Sequence, residues 1–393
     1  MSTAGDNRRL SFDAPIHEME ARLGEMQAEY ARSRAGGDAS AVAEQIRRLR
    51  RELAGLKQTI YANLEAWQQV QVARHVERPQ SREYIDLVFD EFIELHGDRA
   101  VGDDGAIVTG LARLDEHKIM FVGHQKGRNL SERTACNFGM PHPEGYRKAI
   151  LKMQTAEKFG LPIVTFIDTP GAYPGIAAEE RGQALVIAEN LLKMSMLKTP
   201  IISVVIGEGG SGGALGIGVA DRLAMLEHAY YSVITPEGCA TILWKSSEHW
   251  KKAAEALRMT SRDLLGFGII DEVVPEPLGG AHRDHREAAS TLKSFLLRAL
   301  RELVETPRDV VLQQRYEKYR RIGVFFEGVD AAAAEVLEAV VGSASATETT
   351  AATLAPADQQ RPTRPPIAAV DVDPTPHGVD SRAGALETAP TRD

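Results

Sequence analysis

The fold of this chain is decided by one stretch of sequence, residues 201–217, which reads IISVVIGEGGSGGALGI. Its first six residues are mostly apolar and β-branched, which predicts a buried strand. The run from Gly207 to Gly213 predicts a turn, and residues 214–217 continue as a helix. Backbone N–H groups at a helix N-terminus have no intrahelical partner, and glycines let a ligand approach them closely. We therefore predict an anion-stabilising turn here.

Working outward from this stretch, short β-rich runs alternate with helical segments between about residues 81 and 305. The candidate strands are residues 118–122, 162–168, 200–206, 222–226, 231–234 and 269–274. A helix between the second and third of these carries one apolar face, made of Leu185, Ala188, Leu192 and Met196. Alternation of this kind predicts parallel strands joined by crossover helices, so the fold class is α/β.

The segments on either side of this 81–305 core have other characters. Residues 1–80 are predicted to form a helical hairpin broken at Gly36-Gly37, whose apolar seam is covered either by the core or by a partner chain. The seam residues are Ile16, Met19, Leu23, Met26, Val42, Ile46, Leu49, Leu53, Leu56, Ile60 and Leu64. Residues 306–341 are predicted to be C-terminal helices. Residues 342–393 contain no aromatic side chain except that of His377, and we predict a disordered tail.

Composition excludes several classes of protein. A net charge of −9 argues against a general nucleic-acid binder, which would carry a basic stripe. The two cysteines, Cys136 and Cys239, lie far apart, so neither a disulfide scaffold nor a structural zinc site is expected. No apolar stretch is long enough to cross a bilayer, and the N-terminus does not resemble a signal peptide. The expected location is the cytoplasm, with no membrane association.

Two nucleotide-binding patterns occur in the core. Gly207, Gly209 and Gly212 satisfy G-x-G-x-x-G, and Glu227 follows at the spacing of about 20 residues typical of dinucleotide-binding proteins. The short, glycine-interrupted helix and the strands that precede the motif weaken this alternative. Asp168-Thr-Pro-Gly171 matches the D-x-x-G of a GTPase, but the sequence has no phosphate-binding P-loop. A GTPase is therefore excluded.

Charged residues near these turns have a structural and a functional interpretation. Arg128, Arg133, Arg147 and Lys148 surround the loop at residues 137–148, either as a solvated basic face or as a phosphate or carboxylate site. The candidate acids and bases are Glu179, Glu180, Glu208, Glu237, His124 and His142. Because no triad or metal-ligand spacing organises them, we interpret each as structural.

Taken together, these segments resemble the carboxyltransferase alpha subunits of multi-subunit bacterial acetyl-CoA carboxylase. The resemblance covers roughly residues 10–310. The matching motifs are GHQKGR at 123–128, NFGMPHPEGYRK at 137–148, IDTPGAYPG at 167–175, EERGQ at 179–183, GEGGSGG at 207–213, SVITPEGCA at 232–240 and PLGGAHR at 277–283.

The resemblance implies a crotonase-like fold of ββα superhelical units and a cytoplasmic enzyme of fatty-acid synthesis. Such enzymes transfer the carboxyl group of carboxybiotin, borne by a separate biotin carboxyl carrier protein, to acetyl-CoA and form malonyl-CoA, the first committed step. The family's alpha chain is active only with a beta chain that bears a zinc ribbon, in an α2β2 assembly. Biotin carboxylase is a further component of the carboxylase.

The resemblance also implies the site residues. Gly212 and Gly213 correspond to the pair whose N–H groups bind the ureido oxygen of biotin, with Gly209 and Gly210 shaping the turn. Three sets of residues are expected at the carboxybiotin pocket: this pair, Gly209-Gly210 and Gly171-Ala172-Tyr173. No metal is expected in this chain, and biotin is not covalently attached to it. Anions stabilised by fixed donors explain why no acid or base is prominent.

Three other classes remain as alternatives to this resemblance. A stand-alone crotonase-type hydratase would act on enoyl-CoA without biotin or a partner. An NAD-dependent oxidoreductase would bind its nucleotide at Gly207. A non-enzymatic scaffold would use the N-terminal hairpin as its interaction surface.

Overall fold

The structure is a computed structural model that describes residues 10–33 and 39–323, all of which fall within the unit Met1–Phe325. The predicted break of the hairpin at Gly36-Gly37 and the predicted tail at residues 342–393 lie outside the described residues. So does the part of the predicted C-terminal helical segment that follows residue 323.

One sheet of eight strands forms the centre of the described part of the chain. The strands are β1 (Glu91–Glu94), β2 (Ile107–Leu114), β3 (His117–His124), β4 (Ile163–Thr169), β5 (Ile201–Gly210), β6 (Arg222–Leu226), β7 (Tyr230–Ser232) and β8 (Glu272–Val274). Their order across the sheet is β1-β2-β3-β4-β5-β6-β8, and β7 pairs with the last residues of β5. The first three strands are antiparallel, whereas β3 to β8 pair in parallel.

Helices precede the sheet, connect its strands and follow it. They are α1 (Ala14–Ser33), α2 (Ala39–Ala62), α3 (Ala66–Ala73), α4 (Ser81–Val88), α5 (Leu130–Ala135), α6 (Pro143–Phe159), α7 (Ile176–Glu180), α8 (Gln183–Met196), α9 (Ser211–Leu215), α10 (Pro236–Trp244), α11 (Trp250–Ala256), α12 (Ser261–Gly266), α13 (His285–Glu305) and α14 (Arg308–Arg321). The parallel α/β architecture predicted from the alternation of strands and helices is therefore confirmed.

Two strands, β1 and β2, are absent from the sequence-based prediction. β2 is buried along most of its length, but Gly110 in its middle interrupts the apolar run that marks a strand. The structure shows why glycine is there. A Cβ at Gly110 would lie 2.4 Å from the ring of Phe92 on β1, so the two strands approach too closely for a side chain.

The glycine run differs from the turn that its composition predicts. β5 continues through Gly207 to Gly210, because residues 208–210 pair with β7, and the helix begins only at Ser211. The predicted turn over residues 207–213 is therefore wrong for its first four residues. A Cβ at Gly207 would lie 2.5 Å from Oδ1 of Asp168, so this glycine serves strand packing.

The apolar face of α8 also has an unexpected direction. Leu185, Leu192 and Met196 are 62%, 63% and 63% exposed, whereas Asn190 and Met194 are buried. An amphipathic pattern usually marks the side of a helix that faces the core. Here Val186, Asn190 and Met194 face the core, and a second apolar side remains uncovered within the described part of the chain.

The N-terminal hairpin covers most of its own seam. α1 and α2 pack together, and a separate cluster joins Ile16, Leu53 and Tyr61 to Val72 of α3. The hydroxyl of Tyr61 donates to Oδ2 of Asp13 over 2.9 Å, which fixes the start of α1 to the end of α2. The structure therefore favours the first interpretation of this seam, packing within the chain.

Candidate active site

A cleft of about 900 Å³ opens beside the carboxyl ends of β4 and β5. Ligands of parallel α/β sheets commonly bind at this edge, where strand ends meet helix N-termini. The loop after β4, the first turns of α8 and the start of α9 line it. The lining residues are Met140, Pro170, Gly171, Ala172, Tyr173, Pro174, Glu179, Gly182, Gln183, Ala184, Leu185, Ile187, Ser211, Gly212, Gly213, Val233, Ile234 and Thr235.

Of the predicted site residues, Gly171, Ala172, Tyr173, Gly212 and Gly213 all line this cleft. Gly209 and Gly210 do not, because they are buried in β5 behind it. A Cβ at Gly210 would lie 2.2 Å from the carbonyl oxygen of Pro170, so Gly210 lets the loop after β4 lie against the end of β5.

The paired glycines at the start of α9 have different surroundings. A Cβ at Gly213 would lie 2.4 Å from the backbone N of Ala172, so Gly213 is required for contact with the opposite side of the cleft. A Cβ at Gly212 would meet nothing closer than Ile187, at 3.8 Å. Gly212 therefore leaves open space beside a helix start whose N–H groups lack intrahelical partners.

Hydrogen bonds hold the facing loop in place. The hydroxyl of Thr169, at the end of β4, donates to the carbonyl of Gly139 over 2.6 Å and accepts from the N–H of Gly171 at 3.1 Å. The N–H of Ala172 donates to no acceptor among the described residues. An N–H in this position can donate to an anionic ligand.

The next part of the loop is anchored through Tyr173. Its N–H donates to the carbonyl of Pro141 over 3.0 Å, and its ring stacks on that of His142 with centroids 4.1 Å apart. The amide of Gln183 donates to the carbonyls of Pro141 and Tyr173 at 2.7 and 3.2 Å. Gln183 belongs to the EERGQ motif, but the sequence alone did not assign it this role.

An ion-pair network that no sequence pattern indicated lines a separate cavity. Lys126 contacts Oδ1 of Asp168 at 2.6 Å and Oε2 of Glu208 at 2.5 Å, and Arg74 contacts Oε1 of Glu208 at 2.5 Å. Burial alone would raise the pKa of Glu208, but the Lys126 and Arg74 charges outweigh it and lower that pKa to about 2. Glu208 is therefore a structural carboxylate and not a proton donor.

This network predicts a defined pH dependence. Because the pKa of Glu208 is about 2 in the fold, below its ordinary 4.5, its stabilisation is present above pH 4.5 and lost as the pH falls towards 2. Glu208→Gln should lower the free energy of unfolding by about 3 kcal/mol at pH 7, and the deficit should shrink below pH 4.5. Urea unfolding between pH 7 and 3 measures this, with exposed Glu91→Gln as the control. A deficit that stays constant with pH would contradict the assignment.

Three of the other candidates, His124, Arg147 and Lys148, have surroundings that indicate a structural role. Burial and the nearby Lys126 charge lower the pKa of His124 to about 3, so its ring is neutral near pH 7. Arg147 pairs with Asp98 at 2.9 Å, and Lys148 pairs with Asp103 at 2.5 Å. These ion pairs favour a structural role over a phosphate or carboxylate site at this loop.

The dinucleotide-binding alternative fails on geometry. Its motif needs glycines in a loop between a strand and a helix. Gly207 and Gly209 instead lie inside β5. A Cβ at Gly209 would lie 2.6 Å from the ring of Tyr231, so this glycine serves packing within the sheet. Glu227, the expected ribose ligand, lines a different cavity beside Ala62 and Leu64.

Neither a group that could hold a metal ion nor a membrane-spanning helix occurs among the described residues. No group of three or more His, Cys, Asp or Glu side chains in residues 10–33 and 39–323 is arranged to hold a metal ion. Among the helices of the same ranges, none combines the length and apolarity needed to cross a bilayer.

The sheet and its cleft define an α/β protein with an open cleft at the carboxyl ends of its parallel strands. A family model described as "Acetyl co-enzyme A carboxylase carboxyltransferase-like" matches residues 9–323. The acetyl-coenzyme A carboxylase carboxyl transferase subunit alpha of Rhodopirellula baltica is 59% identical over 319 residues, 81% of this chain and 98% of the relative. The corresponding subunit of Thermus thermophilus is 51% identical over 318 residues, 81% of this chain and 99% of the relative.

Solved structures resemble the chain more distantly. Transcarboxylase 12S, with methylmalonyl-coenzyme A bound, gives a TM-score of 0.48 at 20% identity over 57% of this chain and 41% of that chain. A Pseudomonas malonate decarboxylase hetero-tetramer gives 0.46 at 18% identity over 62% of this chain and 93% of that chain.

The chain belongs to the family of carboxyltransferase alpha subunits of acetyl-CoA carboxylase. The predicted fold class and the predicted enzyme class, a biotin-dependent carboxyltransferase, are confirmed. An alpha subunit of a multi-subunit carboxylase implies a beta-subunit partner.

Proposed function

We propose that the cleft binds the ureido ring of carboxybiotin and that the N–H groups of Gly212 and Gly213 donate hydrogen bonds to its oxygen. The observation that carries this proposal is the open space beside Gly212, at a helix start that packs through Gly213 against Gly171 and Ala172. The N–H of Ala172, which lacks an acceptor among the described residues, is a third donor on the opposite side.

The residues of the cleft suit an anionic group. When bound, carboxybiotin, presented by the biotin carboxyl carrier protein, supplies the carboxyl group that acetyl-CoA receives. The chain's own contribution is to fix N–H donors where negative charge develops, and they need no reorganisation during the reaction. The apolar side chains of Ile187 and Val233 also line the cleft.

A crotonase-type hydratase is less well supported by the same cleft. Adding water to an enoyl thioester requires general acid and base groups close to the donors. Glu179 is the single carboxylate among the described residues that line the cleft, and no histidine lines it. Carboxyl transfer stabilised by backbone donors fits this composition better.

The exposed apolar face of α7 and α8 supports a position for the beta subunit. Ile176, Leu185, Leu192 and Met196 are all more than half exposed, and Leu185 also lines the cleft. Contiguous exposed apolar surface beside a site commonly marks a protein interface. We propose that the beta chain covers this face and completes the site, in an α2β2 assembly that works with the carrier protein and biotin carboxylase in the cytoplasm.

This placement of the beta subunit gives a testable prediction. Leu192→Glu should weaken association with the beta chain at least about tenfold, because it buries a charge in an apolar contact. The control is Val304→Glu on α13, where the side chain of Val304 is 49% exposed. This helix packs against α4 and β8. Affinity is measured by titrating the purified chains. Equal affinities of Leu192→Glu and wild type would contradict this interface.

The function itself is tested in the reverse direction. Malonyl-CoA decarboxylation in the presence of biotin is measured for the chain alone and for the chain co-expressed with its beta subunit. We expect biotin-dependent activity only for the complex. Activity of the isolated chain would refute a shared site, and an inactive complex would refute the proposed function.

A further inference from the structure

The start of α9 cannot hold its own conformation. The helix has five residues, two of them are glycines, and Gly216 and Gly218 follow directly. Helices this short are unstable in isolation, and glycine lowers helix stability further. Side chains from other elements must therefore determine where the N–H groups of Gly212 and Gly213 lie.

One backbone group of this segment is left without its usual partner. In an α-helix the carbonyl of Gly213 would accept from the N–H of Ile217, but that N–H bonds to Ala214 over 3.4 Å. The hydroxyl of Tyr146, fully buried on α6, takes its place and donates to the carbonyl of Gly213 over 3.0 Å. A buried carbonyl without such a donor would be energetically costly.

The Tyr146 side chain is itself held in one position. Its ring lies against Gly216, where a Cβ would come within 2.5 Å of Cε1. The buried amide of Asn190, on α8, donates at 3.0 Å both to the backbone carbonyl of Tyr146 and to that of Gly216. α6, α8 and the segment after β5 are thereby joined at one buried point.

We propose that Tyr146 is a positioning residue for the donor pair, acting through the Gly213 carbonyl; this inference rests on the proposed function. Tyr146 does not line the cleft, so it does not touch the substrate. Its hydroxyl holds the peptide after Gly213, and with it the orientation of the N–H groups that receive the developing charge. Small displacements of such donors lower the rate strongly, because their effect depends on geometry.

Tyr146→Phe tests this, because it removes the hydroxyl and keeps the ring that packs on Gly216. Tyr84→Phe is a matched control, since Tyr84 is also fully buried and its hydroxyl has no hydrogen-bond partner among the described residues. Both variants are purified as complexes with the beta subunit. We expect Tyr146→Phe to lower kcat of biotin-dependent malonyl-CoA decarboxylation about tenfold, with KM for malonyl-CoA unchanged.

A second readout separates positioning from a general loss of stability. Hydrogen–deuterium exchange of peptides covering residues 207–219 should be faster in Tyr146→Phe than in Tyr84→Phe, while exchange elsewhere is the same. If the wild-type complex is active and Tyr146→Phe has the same kcat as Tyr84→Phe, the positioning role is overturned. The proposed function is then unaffected. A tenfold loss with unchanged local exchange also overturns the positioning role. An inactive wild-type complex overturns the proposed function, and this inference with it.

Discussion

Gly212→Val is expected to lower kcat for carboxyl transfer at least about a hundredfold while the chain still folds and assembles with its beta subunit. The nearest atom to a Cβ at this position is 3.8 Å away, on Ile187, so the Cβ of the new side chain meets no backbone atom. It would occupy the cleft beside the N–H donors and keep the biotin oxygen from them. Loss of one such donor typically costs about 3 kcal/mol of transition-state stabilisation.

The neighbouring glycine provides an informative contrast. In Gly213→Val the side chain would meet the backbone of Gly171 and Ala172 at 2.4 Å, so this variant should be destabilised as well as inactive. Gly55→Val, at an open position on α2, controls for the cost of valine in a helix. The measurement is decarboxylation of malonyl-CoA by complexes of confirmed composition. Full activity of the Gly212→Val complex would show that these N–H groups do not take part in the mechanism.

Arg315→Met is expected to lower the free energy of unfolding by about 4 kcal/mol. Arg315, on α14, is almost completely buried and contacts both carboxylate oxygens of Asp221 at 2.8 and 2.7 Å. It also donates to the backbone carbonyls of Met194, Leu197 and Thr199, at 2.7 to 2.8 Å. Removing the guanidinium leaves a buried carboxylate and three carbonyls without these donors, and methionine satisfies none of them.

The matched control for this variant lies on the same helix. Arg321 is exposed and pairs with Glu317 at 3.2 Å, so Arg321→Met should change stability by less than about 1 kcal/mol. Urea unfolding of both purified variants at pH 7 gives the comparison. Equal stabilities would show that the buried cluster does not hold α14 against the sheet.

Much of the central sheet could be predicted because local patterns and tertiary burial agree there. β4 and β6 are short, mostly apolar runs between turn residues, and such runs form strands wherever both faces are covered. β2 could not be predicted in the same way. Gly110 interrupts its pattern, and the reason for a glycine is the ring of Phe92, which only the folded chain brings close.

Helix α8 shows a second limit of prediction from sequence, which concerns the direction that an apolar face takes. The periodicity of α8 identifies a helix with an apolar face, but not whether that face meets the core or solvent. Asn190 explains the outcome, because its amide is needed inside to satisfy two carbonyls of neighbouring segments. The apolar face is then free for another chain, and composition alone cannot distinguish this from burial.

The sequence by itself determined the parallel α/β class, the family and five of the residues that line the cleft, because these depend on motifs contiguous in the chain. The tertiary structure decided what each glycine does. Gly207, Gly209 and Gly210 allow close strand packing, Gly213 allows two sides of the cleft to meet, and Gly212 faces open space. It also brought Tyr146, from 67 residues away, to the Gly213 carbonyl. Such roles depend on distances between segments remote in sequence, which no local pattern encodes.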